Sequence, residues 1–244
     1  MSSQFVKEGA GFCGKVPVLG DFLHEGLAIE FNDCWNEWMR AALAVSKEQL
    51  GTQWLDYYLT SPVWHFALSE GSCGPEAMIG TMIPSIDKVG RHYPLIMAKP
   101  AVQNPITCRS QPQWCQEFED FILRTLDDDF SIQSWRTELQ QFTFSLPNSQ
   151  VPAGHLGHAE QKVQNWLLHG ALTMDNNALL HSLLRQQFGQ YCLWWTEGSE
   201  HIDAVCLISK GLPLISQYAS MLDGQWDERG WLLKPLHAAR EQEQ

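Results

Sequence analysis

Val63-Trp64-His65-Phe66-Ala67-Leu68, Ala77-Met78-Ile79-Gly80-Thr81-Met82-Ile83 and Tyr93-Pro94-Leu95-Ile96-Met97-Ala98 follow one another closely and decide the fold. Each is an apolar run of strand length. The stretches between them, 69–76 and 85–92, hold Gly and Pro and are too short for a crossover helix. Strands joined so briefly are antiparallel neighbours, which makes this segment a meander.

Outward from the meander, Phe12 to Val16 reads as a short strand. Leu27, Phe31, Trp35, Trp38, Met39, Ala42 and Leu43 recur at three- and four-residue steps, which predicts an amphipathic helix over about 27–46, interrupted near Gly51. Asn104 to Pro112 reads as a polar loop. Trp114, Phe118, Phe121, Ile122, Thr125 and Leu126 share a helical face that ends in the acidic run Asp127-Asp128-Asp129. Ser145 to Gly157 is the longest predicted loop and a soft boundary within one domain spanning 1–244. Helices over about 159–168 and 177–188 follow, then a strand pair at 191–196 and 204–209. A last helix starts near Pro213 and reaches Leu222, and the tail after Leu236 is polar. In Trp194-Trp195, strand alternation sends one ring to each face. The expected fold class is α+β or mixed α/β, an antiparallel-rich central sheet covered by helices.

Composition restricts function. The chain has 244 residues, 44% of them hydrophobic and 18% charged, enough for a sizeable core. Its net charge of −12 argues against nucleic acid or an anionic membrane and favours a basic or neutral protein partner. No apolar run approaches the ~20 residues of a membrane span, and the N-terminus lacks a signal-peptide core. The seven cysteines are odd in number and unpaired in spacing, as expected of reduced cytosolic thiols buried as small apolar residues.

Catalytic and metal motifs are incomplete. Gly9 to Lys15 reads G-x-x-x-x-G-K, but Val16 replaces the magnesium-binding Ser/Thr and Pro17 sits where the helix would begin. His155 and His158 with Glu160 lie in or beside the long loop and lack the paired Cys/His spacing of a zinc site. No G-x-S-x-G elbow exists. Asp87 with His92, or Cys13 with His24, would form a dyad only through the fold. No cofactor and no metal is expected.

The distinctive segments are instead two Gly/Pro-punctuated turns bearing fixed charges. Lys15 and Asp21 flank one, Gly14 to Phe22; Asp87 and Arg91 flank the other, Pro84 to Pro94. Two roles are open for these four residues. They pin the turns through ion pairs and Asp-to-backbone hydrogen bonds, or they form a recognition patch where the turns converge.

Gly11-Phe12-Cys13-Gly14-Lys15-Val16-Pro17-Val18-Leu19-Gly20-Asp21-Phe22 resembles the N-terminal signature of the TagF (ImpM) family of type VI secretion-associated proteins. Trp35-x-x-Trp38, Trp64 to Leu68 and Cys73-Gly74 are similar to its following blocks. Pro84-Ser85-x-Asp87-x-Val89-Gly90-Arg91-x-Tyr93-Pro94-Leu95 resembles its most distinctive stretch, and Leu193 to Thr196 with Gly211-Leu212-Pro213 its C-terminal elements. The resemblance implies a cytoplasmic, non-enzymatic repressor of type VI secretion that binds the forkhead-associated scaffold protein, Fha, and limits apparatus assembly. Lys15, Asp21, Asp87 and Arg91 are the positions it marks as partner-binding or turn-organising. A PP2C-type phosphatase domain, fused in some relatives, is not expected in a chain of this length. The competing expectations are a hydrolase or transferase using His92 and Asp87, and a small-ligand sensor built on an apolar cavity.

Overall fold

Seven antiparallel strands form one sheet in the order β2-β1-β5-β4-β3-β6-β7. A computed structural model describes residues 9–143 and 176–232. The strands are β1 (Gly11–Gly14), β2 (Leu23–Glu25), β3 (Trp64–Leu68), β4 (Met78–Ile83), β5 (Leu95–Pro100), β6 (Cys192–Thr196) and β7 (Val205–Ser209). The helices are α1 (Ile29–Leu50), α2 (Trp54–Leu59), α3 (Pro105–Arg109), α4 (Gln113–Leu123), α5 (Ile132–Gln141), α6 (Asn176–Phe188) and α7 (Ser220–Asp223). His155, His158, Glu160, the 145–157 loop, the 159–168 helix and the tail after Leu236 lie outside the described residues.

The fold is α+β. The meander of β3, β4 and β5 is present in register, with Ala67 opposite Ile79 and Met82 opposite Ile96. Strands from both sides of the 145–157 stretch join the same sheet.

Helices cover both faces, which explains why the central strands are buried at every position. On one face Trp35, Trp38 and Met39 of α1 pack with Phe66, Trp194 and Tyr218. Trp35 stacks on Trp194 at 5.9 Å and meets Phe66 at 5.1 Å. On the other, Trp114 and Phe118 of α4 and Trp135 of α5 pack with Phe12, Ile79, Leu193 and Trp195. Trp194 and Trp195 therefore face opposite layers, and both rings are buried.

Several elements differ from the sequence reading. The 104–112 stretch is not all loop: Asn104 caps α3 by accepting the Thr107 N–H at 3.0 Å, and Pro105 stands at the first turn. α5 and the three-residue β2 were not anticipated. The last helix is broken: the Pro213 carbonyl accepts the Trp38 indole N–H at 2.8 Å, and the Gln217 N–H donates to the Leu214 carbonyl at 2.8 Å. The chain makes a 3-10 turn over Ile215–Gln217 and only then the short α7.

Candidate functional site

Topology brings the two punctuated turns together. β1 and β5 are antiparallel neighbours with Cys13 opposite Ile96, so the end of β1 and the start of β5 share one end of the sheet. Gly14, at φ +139°, lies against the Pro94 carbonyl and the Leu95 backbone, where no Cβ would fit.

The Asp87 segment is a tight hairpin. Gly90 N–H donates to the Asp87 carbonyl at 2.9 Å, Asp87 N–H donates to the Arg91 carbonyl at 3.0 Å, and Ile86 bridges His92. Asp at the first and Gly at the fourth position suit such a turn, and Gly90 takes the positive φ of +82°.

Asp87 is the hub. Its side chain is buried and accepts the Val89 and Arg91 backbone N–H groups on Oδ1 at 3.1 and 2.9 Å. Oδ2 accepts Lys15 Nζ at 2.5 Å and Arg91 Nε at 2.7 Å. Burial on its own raises the carboxyl. Lys15, the Arg91 backbone N–H, the Arg91 guanidinium and the Val89 N–H outweigh it and hold the group well below the usual carboxylate range.

Further bonds tie the turns to each other. Lys88 N–H donates to the Leu19 carbonyl at 2.9 Å, and the Arg91 guanidinium donates to the Gly20 carbonyl. Ser85 Oγ donates to the Lys15 carbonyl at 2.8 Å. From behind, the Tyr58 hydroxyl donates to the Ser85 carbonyl at 2.8 Å and accepts its N–H at 3.1 Å. Ser85 and Tyr58 were not foreseen: Tyr58 lies 27 positions away and carries no local signal.

Lys15, Asp87 and Arg91 thus converge. Asp21 does not join them. It is exposed, and among the described residues it has no hydrogen bond or ion pair. Lys15 bonds across to the other turn instead of to Asp21, because Lys15 points inward and Asp21 outward.

Neither proposed dyad is assembled. The Asp87 carboxylate is committed to four donors, while the His92 ring lies edge-on to Trp54 at 5.2 Å and Tyr58 at 5.6 Å. Cys13 is opposite His24 in register, but the thiol is buried against Asn36 Oδ1 at 3.6 Å and His24 is exposed. Burial pushes the Cys13 thiol up to about 12, so no thiolate forms near neutral pH.

A third arrangement had no sequence signal. His65 on β3 places Nδ1 2.8 Å from Thr81 Oγ1 and Nε2 3.3 Å from Glu119 Oε2. Trp114 and Trp195 pack on its ring and Thr81 is fully buried, so the hydroxyl and imidazole lie inside a core, while the Glu119 carboxylate is half-buried at its edge.

A surface cavity of about 450 Å³ lies between α4 and α5, with Phe121 and Phe142 in its lining beside the Arg124–Glu138 ion pair. It contains none of the four turn residues. Among the described residues no cluster of His, Cys, Asp or Glu could hold a metal ion, and no helix is long and apolar enough to cross a membrane.

Both turns fall within residues 11–142, which match a domain family described as type VI secretion system-associated. That family is the TagF N-terminal domain, and the chain belongs to it. The chain is similar to PA0076 from Pseudomonas aeruginosa PAO1, whose crystal structure it matches with a TM-score of 0.74 at 30% identity, over 94% of this chain and 99% of that one. No curated protein matches.

Proposed function

We propose that this protein is a cytoplasmic, non-enzymatic repressor of type VI secretion that binds the forkhead-associated scaffold protein, Fha, and limits assembly of the apparatus. The observation that carries the reading is the ion-pinned pair of turns. A buried carboxylate fixes two loops whose Asp21, Lys88 and Val89 side chains are exposed. Loops held rigidly by a scaffold are suited to recognition, because little ordering entropy is lost on docking. Membership of a type VI secretion system-associated family supports the biological setting.

Co-purification tests the reading. Tagged protein expressed in a type VI-positive cell retains Fha, and Asp21→Lys, which leaves the melting temperature unchanged, reduces the retained Fha. Overexpression lowers secretion of a type VI effector. Retention of another protein in place of Fha, or unchanged secretion, contradicts the proposal.

A further inference from the structure

The cavity between α4 and α5 is separate from the two turns, and its wall has a definite chemistry. Its volume is about 450 Å³, and Phe121 and Phe142 line it with ring centroids 5.4 Å apart. Phe121 is buried and also meets Trp135 at 5.7 Å, whereas Phe142 is 37% exposed. Among the described residues the charged wall is Glu117, Asp120 and Glu138, with Arg124 as the one cation.

Arg124 shows what such a wall accepts. Its guanidinium carbon lies 5.1 Å from the Phe121 ring centroid, and Nη1 donates to Glu138 Oε2 at 2.7 Å. A ring face and a carboxylate thus hold one guanidinium between them, through cation–π attraction and a charge-assisted hydrogen bond. That pair is neutral as a unit. Asp120 is exposed, and its carboxylate accepts the neutral Gln116 amide at 2.7 Å. Asp120 and Glu117 line the same cavity as the Phe142 ring.

The surroundings add to the negative sign. From Gln113 to Gln141 the chain carries seven Asp and Glu against two Arg. The second, Arg136, is engaged elsewhere: it lies 3.2 Å from Glu25 and 5.7 Å from the Phe12 ring centroid. Asp127, Asp128 and Asp129 are exposed just beyond Arg124. Burial first, then Asp120 and Glu197, raise the Glu119 carboxyl, in keeping with a negative field along α4.

We infer that this cavity receives an arginine-bearing, basic segment of a partner protein, with one guanidinium against Phe142 and the Glu117 and Asp120 carboxylates as its acceptors. The cavity opens at the surface between two helices, so a side chain can enter while its backbone stays outside. Arginine suits the wall better than lysine, because its planar, weakly hydrated fork stacks on rings and pairs with carboxylates. The net charge of −12 attracts the same partner from a distance.

A labelled oligo-arginine peptide and the full chain provide the test, with fluorescence anisotropy as the readout. The peptide binds wild type, and oligo-lysine of equal length binds several-fold more weakly. Binding weakens several-fold in Glu117→Gln/Asp120→Asn. It weakens similarly in Phe142→Leu, which keeps charge and apolar bulk and removes only the ring. Glu37→Gln/Glu48→Gln, an equal loss of charge at exposed positions of α1, binds as wild type does. Melting temperatures establish that the variants are folded. Amide NMR shifts on binding centre on 117–124 and 138–142. No binding, undiminished binding by either cavity variant, an equal loss in the α1 control, equal affinity for oligo-lysine, or shifts elsewhere overturns the inference. Because no turn residue lines the cavity, that failure leaves docking through the two turns standing.

Discussion

Lys15 and Asp87 stand 72 positions apart in sequence, and Lys15 Nζ lies 2.5 Å from Asp87 Oδ2. Among the described residues, the only other side chain that gives the two hairpins a charged link is Arg91. Removing one member of a buried pair leaves the other uncompensated, so this contact is a lock on loop geometry.

Asp87→Asn tests the lock through pH. The folded carboxyl is depressed, so its contribution to stability is complete above the unfolded carboxylate value near 4 and is lost as pH falls towards the folded value. Asp87→Asn melts several degrees below wild type from pH 7 to 5, and the gap narrows below about pH 4. Thermal scans across that range provide the measurement; a constant gap into strong acid contradicts the lock.

His65 acts in a separate window and with its own sign. Burial lowers its imidazole to about 4, so between about 6.5 and 4 the unfolded chain takes up a proton that the folded one refuses. Stability therefore falls as pH drops through that interval, by about 3 kcal/mol. The neutral ring sets Nδ1 against Thr81 Oγ1 and Nε2 against Glu119 Oε2. His65→Gln flattens the slope of stability between pH 6.5 and 4, and an unchanged slope assigns the acid sensitivity elsewhere.

Tyr58→Phe unpairs the Ser85 N–H, while the Ser85 carbonyl keeps the Tyr93 N–H at 3.1 Å. The expected cost is about 1–3 kcal/mol, one unsatisfied buried group, read as a lower denaturation midpoint at unchanged m. A loss under about 0.5 kcal/mol would mean that the turn repairs itself with solvent.

The thiols report on the excluded nucleophile. Cys206 on β7 is exposed, contrary to the expectation of burial, although desolvation raises its thiol as well; Cys13, Cys108 and Cys192 are buried and pushed up to about 12 by desolvation. Brief maleimide treatment at neutral pH, mapped by mass spectrometry, labels Cys206 and spares Cys13 until the chain unfolds. Rapid labelling of native Cys13 revives a cysteine mechanism.

What the sequence made legible follows range. The meander, α1 and the Trp194-Trp195 alternation rest on periodicity, which local spacing carries. Asp87 with Arg91 is an i,i+4 pair inside one turn and was equally local. For Lys15 the sequence leaves a local partner in its own turn and convergence with the other turn both open, since nothing within that turn points across 72 residues. β2 has three residues, too few for an alternation to register. α5 buries only Trp135 and Leu139, an i,i+4 pair within an otherwise polar stretch. Pro213 suits a first helical turn in the sequence, whereas in the fold its carbonyl accepts from Trp38, 175 positions away.

The most direct test of the central claim, that the paired turns are the docking surface, is the affinity of immobilised Fha for Asp21→Lys/Val89→Asp measured by interferometry. The control is Val102→Asp, 97% exposed just past the far end of β5. The account predicts that the turn variant stays folded and loses binding by tenfold or more, about 1.4 kcal/mol, while the control binds as wild type does. Equal affinity of the folded turn variant and wild type contradicts it.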